Sequence, residues 1–173
     1  AQANVVSGFN GDYAVGNWTP SAGSGAISTA GAPNSISLTS GDDSSGLPSY
    51  TNFFIQFLVD ATVNFSWAYE TSDGPFFDPF GYALASAEAD LDAGFEQLTD
   101  DFGGAAQSGT RSVFVQAGQY FGFSAYTVDN LFGAATTTIS GLRIAEVPEP
   151  SSLLLLALAM AAAGTATRRR PAA

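Results

Sequence analysis

Polar and apolar residues alternate along Thr62–Thr71, TVNFSWAYET: Val63, Phe65, Trp67 and Tyr69 fall on one face, and Asn64, Ser66 and Glu70 on the other. Successive side chains of an extended chain point to opposite faces, so this spacing predicts a strand with one buried face. Similar runs occupy Ser35–Ser40, Phe53–Asp60, Tyr82–Ala85, Arg111–Ala117, Tyr120–Val128 and Thr136–Ile144. Turn-forming residues stand between them: Gly41-Asp42-Asp43, Ser72-Asp73-Gly74-Pro75, Gly103-Gly104 and Gly118. Many short strands at close spacing predict an all-β fold, an antiparallel β-sandwich of jelly-roll type. In the last run Ile139 is odd-numbered while Leu142 and Ile144 are even, so one frame cannot bury all three. A β-bulge near Gly141 is expected to reconcile them. Ser86–Phe95, SAEADLDAGF, is the one stretch of this region with a helical reading, and an acidic loop fits it equally. No internal repeat is visible, and the expected division is a sandwich domain over 4–146 and a tail over 147–173.

The tail follows a different pattern. Ser151–Thr167 contains no charged residue, and its centre, Leu153–Gly164, is rich in Leu and Ala. As a helix this segment reaches roughly 25 Å at about 1.5 Å per residue, the short limit for crossing a bilayer. Pro148 and Pro150 stand just before it, where proline is compatible with a helix start but not with its interior. A single hydrophobic transmembrane helix over 151–167 is therefore expected. Arg168, Arg169 and Arg170 follow it directly, and arginines beside a span hold that end in the cytoplasm. The body then lies on the far side of the membrane. The alternative, a buried C-terminal helix of a soluble protein, leaves an all-apolar helix with no polar face for water.

Charge sharpens the division. Of five basic residues, all arginines, three are in the tail, which leaves Arg111 and Arg143 against sixteen carboxylates in residues 1–167. A body so poor in cations is not built to bind nucleic acid. The absence of Cys, His and Lys excludes Cys/His zinc sites, cysteine nucleophiles, Ser-His-Asp triads, Schiff-base lysines and P-loops. At the start, Ala1-Gln2-Ala3 resembles the small-residue end of a cleaved signal peptide, as an exported protein would carry.

Val147-Pro148-Glu149-Pro150, followed by a short hydrophobic helix and the Arg168–Arg170 cluster, resembles the PEP-CTERM sorting signal of Gram-negative bacteria. In that family a membrane-embedded, cysteine-dependent exosortase recognises the motif and cuts near it. The resemblance implies an exosortase substrate, in the inner membrane during transit with its body in the periplasm. Its implied destination is the cell surface or the extracellular matrix, in association with exopolysaccharide and biofilm. The stretch SWAYETSDGPFFDPFGY is also similar to a pattern recurring in such proteins.

The densest chemistry lies in Tyr69–Tyr82, where Glu70, Asp73 and Asp78 stand close together, and Asp129 with Asn130 ends a later strand. Carboxylates gathered without basic partners repel one another unless a cation neutralises them, and calcium takes six to eight oxygen ligands. Residues 60–145 resemble CUB-like jelly-roll domains, without the disulfides common in animal members. That resemblance implies a structural calcium held by Glu70, Asp73, Asp78 and Asp129. Other readings stand beside it. Acidic turns are often simply solvated. Glu70 with Asp78 or Asp129 would suit a glycosidase only if brought about 5 to 9.5 Å apart across a sugar site. Trp18, Tyr50, Phe76, Phe77, Phe80 and Tyr126 are candidates for a sugar-stacking platform. The weight of the sequence falls on a non-enzymatic surface protein, with a carbohydrate-binding module as the alternative.

Overall fold

The alternation in residues 62–71 becomes a long central strand in the computed structural model, which describes residues 4–147. In this strand, Ala61–Thr71, every odd-numbered residue is buried and the even-numbered ones are not. Eleven strands lie among the described residues: β1 (Val5–Ser7), β2 (Thr19–Ser21), β3 (Ala26–Ser28), β4 (Ser35–Thr39), β5 (Ser49–Gln56), β6 (Ala61–Thr71), β7 (Phe80–Ala85), β8 (Phe95–Gln97), β9 (Ala106–Val115), β10 (Tyr120–Thr127) and β11 (Ala135–Glu146). They form two antiparallel sheets, β3-β4-β11-β6-β9 and β2-β5-β10-β7-β8, with β1 paired to β11. From β4 onward the pairing is nested: β4 with β11, β5 with β10, β6 with β9 and β7 with β8. This is the eight-strand double Greek key of a jelly roll, as the sequence predicts.

The bulge is also present. The register of β11 on β6 shifts between Ser140 and Arg143, and Gly141 takes the left-handed backbone conformation with φ of 59°. Buried positions change from Ala135, Thr137 and Ile139 to Leu142 and Ile144 across it. At the same point β11 exchanges its edge partner, pairing with β4 before the bulge and with β1 after it.

One expectation needs correction. The strand expected over Phe53–Asp60 runs over Ser49–Gln56 instead. Residues 57–60 are a turn: the Phe57 N–H donates to Gln119 O and the Gly118 N–H to Phe57 O, so Phe57 is buried while Leu58 is 82% exposed. Apolar content continued past the strand end and concealed the turn. Of the two readings of Ser86–Phe95 the acidic loop holds: residues 86–94 form a loop with one 3-10 turn at Glu88–Asp90, and Phe95 opens β8. The loop folds over the outer face of the second sheet and buries Leu91 against Phe54, Ala83 and Ala85.

The core lies between the sheets and is rich in aromatic rings. Trp18 stacks between Phe53 (5.3 Å, 12°) and Phe123 (5.5 Å, 11°), and its indole N–H donates to Tyr13 O at 3.0 Å. Among the described residues no helix is long and apolar enough to cross a membrane. Ala1–Ala3, Pro148, Glu149, Pro150, the expected helix 151–167 and Arg168–Arg170 lie outside the described residues.

Candidate functional site

Strands β4 to β11 alternate in direction, so the loops 40–48, 72–79, 98–105 and 128–134 gather at one end of the sandwich, here called apical. Loops 57–60, 86–94 and 116–119 meet at the other end, the base, where β11 also finishes.

Two buried polar side chains tie the apical loops together. Asp78 is 1% exposed; its Oδ1 accepts from Ser40 Oγ at 2.8 Å, and Ser40 Oγ accepts in turn from the Ala135 N–H at 2.8 Å. The Asp78 main-chain carbonyl accepts from the Tyr69 hydroxyl at 3.0 Å. Asn130 is equally buried, with Nδ2 donating to Leu47 O at 2.6 Å and Oδ1 accepting from Ser24 Oγ at 2.7 Å. Its φ of 56° is one that Asn tolerates better than most residues. Backbone bonds from Val128 N–H to Phe77 O and from Ser44 N–H to Asn130 O complete the junction.

Burial pushes the Asp78 carboxyl up to about 6; hydrogen bonding from Ser40 and Thr127 opposes this, and the charges of Asp73 and Asp129 add to it. Asp73, Asp78 and Asp129 are therefore within electrostatic reach of one another. Asp73 Oδ2 and Asp78 Oδ2 are both buried without a hydrogen-bond partner. Glu70 does not join them: it stands on the solvent face of β6, opposite Thr136 of β11 and Ala106 of β9. Nor does it share a cleft with Asp78, whose side chain is turned inward, so the two are not arranged as a glycosidase pair. Among the described residues no group of three carboxylates closes into a metal-holding cluster. Ser40 and Thr127 carry no sequence signal of their role, being ordinary hydroxyl residues at strand ends.

The suggested aromatic platform is divided by the fold. Trp18 and Phe80 are 4% and 0% exposed and belong to the core, which corrects their assignment to a binding surface. Phe76 and Phe77 meet edge to face in an apical loop. Tyr50 and Tyr126, opposite each other on β5 and β10, stack at 4.4 Å on the outer face of the second sheet, with Phe95 against both. Close by, Asn52 Oδ1 accepts from Ser124 Oγ and its Nδ2 donates to Asp92 Oδ1.

At the base a groove of about 760 Å³ is lined by Asp12, Tyr13, Phe54, Leu58, Glu88 and Tyr120 among others. The end of β11 borders it, held by a clasp on Glu146, whose Oε1 accepts from the Tyr13 hydroxyl at 3.0 Å and Oε2 from Asn4 Nδ2 at 2.7 Å. The Val147 N–H then donates to Asp60 O at 2.7 Å.

Residues 146–170 match the PEP-CTERM protein-sorting motif as a family. The match thus begins on the last residue of β11. No curated protein matches the chain. Among solved structures, the K1 cleaved adhesin domain of Lys-gingipain from Porphyromonas gingivalis is similar at 13% identity and a TM-score of 0.46, covering 86% of this chain and all of that one. A mannan-recognising carbohydrate-binding module, TmCBM27, aligns at 12% identity with a TM-score of 0.42, over 84% of this chain and 100% of its own. The CBM22-1 xylan-binding domain from Paenibacillus barcinonensis aligns at 10% identity with a TM-score of 0.41, over 86% and 98%.

Proposed function

We propose that this chain is an exported, non-enzymatic bacterial surface or matrix protein, sorted by an exosortase through its C-terminal tail and associated with exopolysaccharide. The observation that carries this reading is the sorting motif matched over residues 146–170, starting where the jelly roll ends. The uncharged segment 151–167 and the arginines after it supply the membrane stop and its orientation. Intact-mass analysis of the protein from its host, with and without the exosortase, tests it. Loss or replacement of the tail only in the presence of the enzyme is expected; full-length protein free in the cytoplasm of both strains overturns the reading.

A second reading, a carbohydrate-binding module, is favoured by the Tyr50–Tyr126 pair. The stacked rings, with the exposed carboxylate of Asp92 nearby, offer an apolar face for a sugar ring and a polar partner for its hydroxyls. Its test is glycan binding by wild type and Tyr50→Ala; retention of all binding in the variant removes that face from consideration. A structural calcium, for its part, would be held at the apical end by Asp73 and Asp78, whose unpartnered buried oxygens fit a cation, with Asp129 adding charge and Glu70 excluded. The ion would neutralise carboxylates that otherwise repel. Calcium titration followed by thermal unfolding decides it: a rise in Tm that Asp73→Asn abolishes supports the site, and an unchanged Tm rejects it.

A further inference from the structure

The apical end carries five large apolar side chains held out in solvent, distributed over all four of its loops. Leu47 is 64% exposed, Phe76 51%, Phe77 37%, Phe102 96% and Phe132 82%. Each loop supplies at least one, beside a turn glycine or an aspartate: GLP, DGPFFD, DDFG and NLFG. Three of the loops beneath are joined, because Asn130 bonds the carbonyl of Leu47 and Val128 bonds that of Phe77. Phe132 itself has φ of 65°, and the next residue, Gly133, has φ of 118°, a conformation that L side chains rarely adopt. A large ring presented from a left-handed position on a packed loop contributes nothing to the core, and large apolar side chains exposed on all four loops of one end mark a contact surface.

The charge of the same end says what covers it. Asp42, Asp43, Asp73, Asp100, Asp101 and Asp129 lie in these loops, while Arg111 and Arg143 lie within strands elsewhere. A second copy of this chain would bring the same negative rim. Phosphate-bearing lipid would be repelled in the same way. A sugar would find Phe and Leu faces with no donor of their own. We propose that the apical end docks a basic polypeptide surface, its apolar side chains seated among the Phe tips and its Lys or Arg residues against the aspartate rim. Only the orientation rests on the sorting reading: a tail leaving at the base turns this end away from the membrane.

The test uses the full chain in phosphatidylcholine nanodiscs and, as probes, synthetic amphipathic peptides of Leu with Lys and of Leu with Glu. The Leu/Lys peptide is expected to bind and the Leu/Glu peptide not to. Phe102→Ser with Phe132→Asn, the latter chosen to suit the left-handed backbone, should weaken binding about tenfold or more. Asp100→Asn with Asp101→Asn should slow association and flatten its salt dependence. Equal peptide affinity in the Phe double variant, with an unchanged circular dichroism spectrum, overturns the proposal. Association with peptide-free phosphatidylcholine vesicles through the same Phe residues, in preference to the peptide, also overturns it by assigning the surface to lipid. Neither result bears on tail processing, which intact mass reads separately.

Discussion

The two ends of this jelly roll stand on the same eight strands and are secured in opposite ways. At the apical end the buried residues are polar, Asp78 and Asn130, and the exposed ones are large and apolar. At the base the buried anchors Phe57 and Leu91 are apolar, and the polar clasp of Tyr13, Asn4 and Glu146 sits at the rim. Three of the four loops, 40–48, 72–79 and 128–134, cross-link through hydrogen bonds and leave large apolar side chains outside. The base instead closes over core and hands the chain directly to the sorting motif, with Val147 still bonded to Asp60. The exposed apolar side chains thus stand at one end of the sandwich, and the sorting motif begins at the other.

Both ends depend on one aromatic core, and the largest effect is expected there. Trp18→Ala removes a ring stacked between Phe53 and Phe123 and should lower stability by about 3–5 kcal/mol in denaturant unfolding. Both ends should lose hydrogen-exchange protection together. Unfolding in two separate steps would mean that the ends are independent units, and the comparison would need redrawing.

Asn130→Ala addresses the apical end alone. It removes the bond to Leu47 O and leaves the Ser24 hydroxyl without its buried acceptor, at a cost of about 2–3 kcal/mol. Amide exchange should quicken in 40–48 and 128–134 and stay unchanged in 57–60 and 116–119. A uniform increase would show that Asn130 acts on the whole sandwich.

Asp78 gives the apical end a pH dependence. Its carboxyl is pushed up to about 6 from 3.8, chiefly by burial, so the native state holds a proton that the unfolded chain has already released between these values. Its contribution to stability is fully present below about pH 4 and is lost as pH rises through 6, about 3 kcal/mol in all. Asp78→Asn keeps an oxygen to accept from Ser40 and removes the charge. The variant should therefore gain on wild type as pH rises from 4 to 7.5, and a parallel pair of stability curves would refute the burial account.

The jelly roll was legible because its long strands are two-faced: β6 and β11 declare their buried positions by parity, and even the Gly141 bulge shows as a change of parity. The short strands β1, β2, β3 and β8 have three residues each, too few for a period to register. At the site, Asp73, Asp78 and Asp129 were visible as acidic residues near strand ends, and the topology brings them to one end. Glu70 was misplaced for a local reason. It is one residue from the buried Tyr69 and so points the other way, although its sequence distance from Asp73 suggests company. Trp18 and Phe80 show a different limit, since aromatic content identifies neither a core ring nor a platform ring until the partners are known. The apical Phe tips and Leu47 could not be recognised as a set, because only the strand pairing brings four distant loops together.

The smallest effect is expected at the base clasp. Tyr13→Phe deletes a hydrogen bond to Glu146 Oε1 while leaving the ring packed on Phe57 at 5.2 Å. Glu146 is still bonded by Asn4 and partly exposed, so the freed carboxylate oxygen turns to water and the loss is about 1 kcal/mol or less. The local consequence should exceed the global one, because the clasp holds the last paired residues before the motif. Exchange at Glu146 and Val147, whose N–H groups donate to Asn4 O and Asp60 O, should rise several-fold while the apical amides stay as they were. Should the apical loops loosen as much as Val147, the two ends would be mechanically coupled through β11, and securing the chain end would be part of holding the display surface in shape.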